Sequence, residues 1–452
     1  MGLVTVIAFV LACLLGTQYP TIAASLCLSL FATKQLLQAS LSYFRDSVSG
    51  SQSVNMIIGL VAGIAVAKHL AGHFDRIRGY LNPVWYMSLA VYLWAIASCG
   101  WSYAGTEGLQ AFAGGSPYLL LFLLVVPMLV SDIDACCRLS LVWLLVTTFV
   151  TVLILTNPEF TMRSGRLGLD LGAVGLKQVR TNPLELGAVG GVCIVLGSLY
   201  QSSPRPLLSN LLRIISVLGG TLLAVRSGSR GQLVFALIAV VLAYPLARQV
   251  LSAKRLVTAL IGAAMLVAIV VLLADQVRSS GSYQEERRWS SSDFESGSNV
   301  RFGNVMLLMS EYASSPTRWV TGLGFYSYYY LDPVQEYSHC LSVDMLAELG
   351  FVGLALFSSV LILTIKNAKR VFTLISASPR LRNGFGCLVG VTLYQFLLSN
   401  KQGNLIGSYI LFSLMLILAR VRKSLEAEQE SAAEELGPEG HDSNDGLDFR
   451  HS

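Results

Sequence analysis

Apolar segments recur along almost the whole chain, and this repetition limits the possible folds more than any other feature. A helix needs about 20 such residues to cross a bilayer, and only helices and closed barrels satisfy their backbone hydrogen bonds in lipid. The approximate segments are 3–16, 20–37, 54–70, 83–102, 116–131, 138–156, 184–200, 207–225, 230–247, 256–274, 340–365, 383–399 and 403–420. They predict an all-α fold, a polytopic transmembrane bundle of thirteen spans, or of twelve if the first two segments form one broken helix.

The composition agrees with a membrane protein. Charged residues make up 13% of the 452 residues, against about 25% in ordinary soluble domains. This argues against a soluble enzyme and excludes a disordered chain. The eight cysteines include no C-x-x-C pair and no zinc-ligand spacing, so we interpret them as small apolar packing residues.

Basic residues in the short loops predict the orientation, because Lys and Arg concentrate on the cytoplasmic side. They cluster in four loops of the same parity: Lys68, Arg76 and Arg78; Arg248, Lys254 and Arg255; Lys366, Lys369, Arg370, Arg380 and Arg382; and Arg420, Arg422 and Lys423. The loop 105–116 has no basic residue and is predicted to be external. The N-terminus is then cytoplasmic with twelve spans and external with thirteen.

The same pattern divides the chain into six regions. They are N-terminal transmembrane helices (1–156), a first external loop (157–183), central transmembrane helices (184–274), a large external or periplasmic loop (275–338), C-terminal transmembrane helices (339–420) and an acidic cytoplasmic tail (421–452). In the large loop, the spacing of apolar residues predicts a short amphipathic helix over 301–312. The tail is predicted to begin as a helix and then to be disordered.

The stretch from Arg226 to Gly231 (Arg-Ser-Gly-Ser-Arg-Gly) joins two apolar segments on the external side. Arg226 and Arg230 are four residues apart, so in a helix they would share one face. The N-terminus of the next helix adds a positive dipole end, and arginine matches the geometry of phosphate oxygens. The stretch therefore predicts a diphosphate site, the alternative being arginines that reach lipid headgroups.

A second group of chemical residues begins where the large loop enters a span, with Tyr337 and His339. Histidine can take a proton from a hydroxyl near neutral pH. Asp344 and Glu348 follow one turn apart in an apolar segment, where ionisable residues are usually functional. The alternative is an interfacial histidine with a hydrogen-bonded acid pair, of which Glu348 would hold loop backbone.

Two further patterns suggest substrate contacts. Gly322 and Gly324 predict a turn before Tyr326 and other aromatics, which either stack on sugar rings or form the aromatic belt of a membrane interface. The first external loop carries basic residues: Arg163, Arg166, Lys177 and Arg180. These indicate an anionic lipid-linked substrate, or equally a solvated loop.

In residues 205–365 the order of these motifs resembles the bacterial O-antigen ligase and O-antigen polymerase family. Ser229-Arg230-Gly231 resembles the family's SRG motif. The remaining matching positions, in order, are Arg301, Gly322, Gly324, His339, Glu348, Gly350 and Gly353. Cys340 stands where the family pattern, H-N-x7-E-x-G-x2-G, has asparagine.

This resemblance implies a metal-independent glycosyltransferase with no cofactor, at the external face of the bacterial cytoplasmic membrane. Its donor would be a glycan linked to undecaprenyl diphosphate. A ligase transfers the glycan to a lipid A core, whereas a polymerase extends a lipid-linked chain and can have a chain-length regulator. The residues do not separate the two, and we weakly favour the polymerase.

The resemblance also implies residue roles. Arg230 would hold the diphosphate, Arg301 would assist, and His339 would act on the acceptor hydroxyl. Glu348, with Gly322, Gly324 and Gly350, would support the architecture. To these we add four substrate-binding candidates: Arg226, Arg180, Tyr326 and Tyr337. The lipid bilayer is a further expected partner, and no nucleic acid is expected to bind. The alternative function is a multispan transporter of a small anion or a lipid-linked glycan.

Overall fold

The computed structural model describes residues 2–71, 79–163, 165–174, 177–201, 206–248, 291–331 and 338–435. These ranges are mainly helical, which confirms the predicted all-α bundle. Among their helices, six are long and apolar enough to cross a membrane, or seven if a bent pair counts as one span. The chain is therefore a multi-pass membrane protein. The predicted total of twelve to thirteen spans stays a prediction, since the segment 256–274 lies outside the described residues.

The first half of the chain contains eight helices within the described ranges and one small sheet. The helices are α1 (Gly2–Gly16), α2 (Pro20–Leu28), α3 (Leu30–Ser40), α4 (Ser42–Asp46), α5 (Val48–Leu70), α6 (Pro83–Ser98), α7 (Gly105–Met128) and α8 (Ile133–Thr156). The strands are β1 (Phe160–Arg163), β2 (Arg166–Val174) and β3 (Lys177–Arg180).

The described remainder of the chain is helical. Its helices are α9 (Pro183–Leu199), α10 (Pro206–Arg226), α11 (Arg230–Ala247), α12 (Ser291–Ala313), α13 (Pro316–Thr321), α14 (Tyr328–Leu331), α15 (Leu341–Ala347), α16 (Gly350–Ile375), α17 (Pro379–Gln402) and α18 (Tyr409–Glu435). The amphipathic helix predicted over 301–312 lies within α12. The acidic tail begins as a helix, as predicted, and 436–452 lie outside the described residues.

Short polar residues followed by proline mark the beginnings of several helices. Asn82 Oδ1 accepts a hydrogen bond from Trp85 N (3.1 Å) at the start of α6, and Asn182 Oδ1 accepts one from Leu184 N (3.0 Å) at the start of α9. Ser378 caps α17 in the same way. In each case proline occupies the first helical position, where its missing N–H removes no intrahelical bond.

The first two apolar segments form three helices. α1 and α2 are separate helices with residues 17–19 between them. A further break lies inside the predicted span 20–37, where α2 and α3 meet at an angle of 76°. Ser29, between them, leaves the helical conformation (φ −107°, ψ 12°).

The prediction of a loop at 105–116 is wrong, because these residues form the first half of α7. Glycines in this helix allow close packing against other parts of the bundle. A Cβ atom at Gly115 would lie 2.7 Å from Ile406 Cγ2, and one at Gly108 would lie 3.3 Å from Phe325 O.

The segment 157–183, predicted to be the first external loop, contains a three-stranded antiparallel sheet in the order β1-β2-β3 that the sequence did not predict. Its buried side chains include Phe160, Leu167 and Leu169, which pack against residues of α3, α8, α9 and α10. Thr181 pairs with Leu169 through two hydrogen bonds of 2.9 Å. The sheet is therefore anchored to the end of the bundle that carries the turn between α10 and α11.

The main core lies where α2, α5, α7, α8, α9, α11, α17 and α18 pack together, and includes Phe122, Leu144, Ile194 and Tyr394. A second cluster joins α6, α16 and α18 to Phe325, which follows Gly324. Large apolar side chains on several helices face outward, such as Met56, Leu60 and Leu207, which are 72%, 65% and 86% exposed. An apolar outer surface of this kind suits contact with lipid chains.

Candidate functional site

Arg226 and Arg230 lie on two consecutive helices, so the expectation that they share one helical face is wrong. Arg226 is the last residue of α10 and Arg230 is the first of α11. Gly228 between them has φ +68°, and its N–H and that of Ser229 bond back to carbonyls of α10 (3.0 and 3.3 Å). This is a Schellman-type helix end, which glycine favours because an L side chain is strained at positive φ. The two arginines thus flank one tight turn.

The first turn of α11 lies against the end of α17. Gly231 leaves space for the side chain of Lys401, because a Cβ atom there would lie 2.3 Å from Lys401 Cε and 2.4 Å from Lys401 Nζ. Gln232 is fully buried; its Oε1 accepts a hydrogen bond from Lys401 Nζ (3.1 Å), and its Nε2 donates to Gln402 Oε1 (2.6 Å). The Ser-Arg-Gly stretch therefore continues directly into a contact with α17.

The hairpin between β1 and β2 reaches the same turn. A Cβ atom at Gly228 would lie 2.9 Å from Gly165 O and 3.1 Å from Arg166 Cγ. Among the basic residues of the predicted first external loop, Arg166 thus lies beside the turn. Arg180 pairs with Asp170 in the sheet register.

His339 occupies a strained position at the beginning of α15. Its φ is +61°, a conformation that non-glycine residues rarely adopt. The neighbouring Ser338 is buried; its Oγ accepts a hydrogen bond from Cys340 N (3.1 Å) and donates one to Asp344 Oδ1. Strained residues persist where their surroundings hold them, often at functional sites. The Ser338–Asp344 contact provides such a support for His339.

Asn400, near the end of α17, caps the helix that follows His339. Its Oδ1 accepts hydrogen bonds from Ser342 N (3.1 Å) and Ser342 Oγ (2.6 Å), and Cys340 Sγ lies 3.9 Å away. Asn400 is adjacent to Lys401, which contacts the first turn of α11. Consecutive residues of α17 therefore connect the His339 loop with the Arg230 turn.

The glycine motif of 322–324 pairs with the chain after α15. Leu323 N donates to Ala347 O (2.9 Å), and Gly324 N donates to Glu348 O (2.8 Å). Gly322 and Gly324 have φ of +78° and +91°. A Cβ atom at Gly322 would lie 2.1 Å from Glu348 O. Glycine is required here by both conformation and space.

Glu348 lies between two helices, so the prediction of one continuous span over 340–365 is wrong. α15 ends at Ala347, and α16 begins at Gly350, whose φ is +70°. The carboxylate of Glu348 accepts a hydrogen bond from Tyr328 N (3.2 Å). Glu348 is buried just before the beginning of α16, and this burial raises the pKa of its carboxyl group to about 7. Burial and the nearby Glu348 raise the pKa of Asp344 as well.

The end of α6 holds the same glycine motif from the other side. Ser98 Oγ accepts a hydrogen bond from Phe325 N (2.9 Å), and Ser102 Oγ donates one to Phe325 O (2.7 Å). Trp94 Nε1 donates to Leu349 O (2.9 Å). These contacts could not be predicted from the sequence, since isolated Ser and Trp residues give no signal of distant partners.

Tyr326 follows the glycine motif with φ +69° and is half-buried. Its ring stacks on that of Tyr329, with centroids 5.5 Å apart and planes 23° apart, while Tyr330 is 61% exposed. Sugar stacking thus stays a prediction for Tyr326, and Tyr330 is the more accessible ring.

Three candidate residues cannot be placed in full. Arg301 lies in α12 and Arg180 in β3, but their side chains are outside the described part of the structure. Tyr337 lies outside the described residues. The sequence does not predict a role for Asn400, Lys401 or Gln232, because neither α17 nor the position after Gly231 shows a motif.

The Arg230 turn, the His339 loop and the glycine motif lie in one region at one end of the bundle. Contacts with α6 and α17 hold them there. Comparison with protein-family models gives no match to this chain, and comparison with curated proteins gives none either.

Proposed function

We propose that the chain is a membrane glycosyltransferase for glycans linked to undecaprenyl diphosphate, acting as an O-antigen or exopolysaccharide polymerase or ligase. The observation that carries the proposal is the convergence of two segments on one helix end. The Arg230 turn contacts Lys401, and the His339 loop is held by Asn400. The reaction needs a group that binds the diphosphate and a group that accepts a proton, both near the anomeric centre of the donor. An arrangement in which the Arg230 turn and the His339 loop contact the same helix end agrees with this need.

In the proposed reaction, His339 takes the proton of the acceptor hydroxyl. The hydroxyl oxygen forms a bond to the anomeric carbon of the donor glycan. The bond between that carbon and the phosphate oxygen breaks, and undecaprenyl diphosphate leaves with the electron pair. Arg230 stabilises the negative charge on the leaving group, as a positioned guanidinium can do.

The other candidates serve the same substrates. Arg226 and Arg180 attract the anionic donor, Tyr326 and Tyr337 contact its sugars, and Arg301 assists Arg230. The acceptor is a lipid-linked glycan for a polymerase, which we weakly favour, or a lipid A core for a ligase. The protein resides in the bacterial cytoplasmic membrane with this site external and the C-terminal tail cytoplasmic.

Gene deletion followed by analysis of the surface glycan tests the function. Loss of all capped lipid A indicates a ligase, and a single repeat unit without a ladder indicates a polymerase. An unchanged glycan profile would contradict both. Complementation with Arg230→Ala or His339→Ala should fail although the proteins are inserted normally. Complementation should succeed with Arg380→Ala, an exposed arginine at the opposite end of α17 that pairs with Asp134.

A transporter is the second candidate, and the 76° bend between α2 and α3 favours it. Broken helices are common where transporters bind their substrates. Purified protein in liposomes separates the two functions. A glycosyltransferase forms new glycosidic bonds from a lipid-linked donor, whereas a transporter moves the glycan or anion across the bilayer and leaves it chemically unchanged.

A further inference from the structure

We infer that Arg248 and Arg213 form a binding site for the phosphate group of an anionic membrane lipid, at the end of the bundle that is predicted to be cytoplasmic. Arg248 directly follows α11, and Arg213 lies near the beginning of α10. This end is opposite to the Arg230 turn, so the inference does not depend on the proposed function.

The guanidinium of Arg248 has one edge without a hydrogen-bond partner. Its Nη1 lies 3.5 Å from Tyr244 Oη, and its Cζ lies 5.2 Å from the centre of the Tyr244 ring. Its Nε and Nη2 are buried and form no hydrogen bond within the described part of the chain. These two nitrogens make up one edge of the guanidinium, and such an edge matches two oxygens of a phosphate group. Tyr244 therefore contacts the opposite nitrogen and leaves the bidentate edge free.

Arg213 adds a second positive charge inside a candidate membrane span. It lies within the apolar part of α10, and its charge is close enough to that of Arg248 for the two to repel each other. Its guanidinium donates to Gly197 O (3.0 Å), Ser198 O (3.4 Å) and Asn210 Oδ1 (3.1 Å). These acceptors are neutral, so they orient the guanidinium without neutralising it. Ionisable side chains within a span are costly unless they are compensated.

Other arginines at this end of the bundle have carboxylate partners. Arg380 Nη2 lies 3.0 Å from Asp134 Oδ1, and Arg138 Nη2 lies 4.0 Å from Asp132 Oδ1. Among the residues that the structure describes, no carboxylate forms an ion pair with either arginine of the proposed site. Water could bond to the free edge of the guanidinium, but it would not neutralise the charge. The site therefore calls for an anion.

The remaining charge and the position both fit a lipid headgroup. α9 and α11 end here, and each helix C-terminus carries about half a negative charge, so about one positive charge of the two arginines remains uncompensated. α10 and α17 begin here and supply no negative end. The phosphodiester of an anionic lipid carries a single negative charge. Arg248 is only half-buried and directly follows the candidate span Arg230–Ala247. Basic pockets between helices on the cytoplasmic side are known to bind lipid headgroups.

Direct binding tests this inference with the full-length protein in a neutral detergent, short-chain phosphatidylglycerol as the probe, and native mass spectrometry to count the bound lipids. Wild type should bind phosphatidylglycerol more tightly than phosphatidylcholine. Arg248→Gln removes the bidentate edge and should weaken this binding about tenfold. Arg248→Lys keeps the charge without the fork and should bind with intermediate affinity.

Arg213→Gln should weaken binding several-fold through the loss of its charge. Arg380→Gln is the matched control and should bind as wild type does, because it removes a charge at the same end that Asp134 already compensates. Equal binding of the two lipids by wild type, or unchanged binding by both Arg248→Gln and Arg213→Gln, would overturn the inference. Inorganic phosphate that displaces the lipid at equal concentration would overturn the lipid as the occupant and assign the edge to a free phosphate.

Discussion

Asn400 and Ser342 are joined by two hydrogen bonds that end on one atom. Asn400 Oδ1 accepts from Ser342 N at 3.1 Å and from Ser342 Oγ at 2.6 Å. Cys340, the residue at the cap position of α15, makes no side-chain cap of its own. The cap is therefore supplied by another helix, and this links α17 to the loop that carries His339.

Asn400→Ala should remove this cap, with a loss of about 1 kcal/mol in the free energy of unfolding. Because the His339 loop then loses its support from α17, we also expect glycan transfer to fall about tenfold, which corresponds to a barrier increase of about 1.4 kcal/mol. Thermal unfolding in detergent and a transfer assay measure the two effects.

Asn367→Ala is the control for Asn400→Ala. Asn367 is also buried, and its Oδ1 accepts a hydrogen bond from Arg422 (2.8 Å) in the predicted cytoplasmic half of α16. This variant should lose similar stability and keep its transfer activity per folded molecule. Equal activity losses in both variants would show that Asn400 acts through general stability alone.

His339→Gly and His339→Ala should differ in stability but not in activity. A left-handed conformation costs an L residue about 1–2 kcal/mol, whereas glycine adopts it freely. Because His339 has φ +61°, the glycine variant should unfold at a higher temperature than the alanine variant. Both should lack transfer activity. An alanine variant as stable as the glycine variant would argue against the strained backbone.

Gly322→Ala should destabilise the protein by about 2 kcal/mol or more, from strain at φ +78° and a clash with Glu348 O. Gly303→Ala is the matched control, because Gly303 lies in α12 and a Cβ atom there would meet no other element of the described structure within 4 Å. Alanine there should raise helix stability by about 0.5–1 kcal/mol. Unfolding in denaturant compares the two, and equal effects would contradict a special role for Gly322.

The sequence predicts some of this structure closely, where the signals are local. α11 begins at Arg230 and ends at Ala247, as the apolar segment 230–247 predicts, because a turn at Gly228 and a basic residue after 247 bound it. The sheet was missed although leucine alternates with small or polar residues at 167, 169 and 171. The overall polarity of that region concealed the alternation, which is the pattern of a half-buried strand.

The site was predicted only in part, for a physical reason. Arg230 and His339 stand in local patterns that suggest chemistry. Lys401, Asn400 and Gln232 act through contacts between helices that are distant in sequence, and polar residues at a helix end are ordinary. Such contacts become visible only when the packing of α11, α15 and α17 is known.

The stability of the protein should fall as the pH rises from about 4.5 towards 7, because of the buried acid pair before α16. Burial raises the pKa of Glu348 from 4.5 to about 7, and Asp344 shifts in the same direction. The folded protein thus binds protons more tightly than the unfolded chain. This contribution to stability is complete below the pKa of the group in the unfolded chain and is lost as the pH rises through its pKa in the folded protein.

Glu348→Gln, which keeps an acceptor for Tyr328 N, should reduce the fall in unfolding temperature, and Glu430→Gln on the exposed surface of α18 should not. An identical pH profile for Glu348→Gln and wild type would show that the Glu348 carboxyl is not protonated preferentially in the folded state.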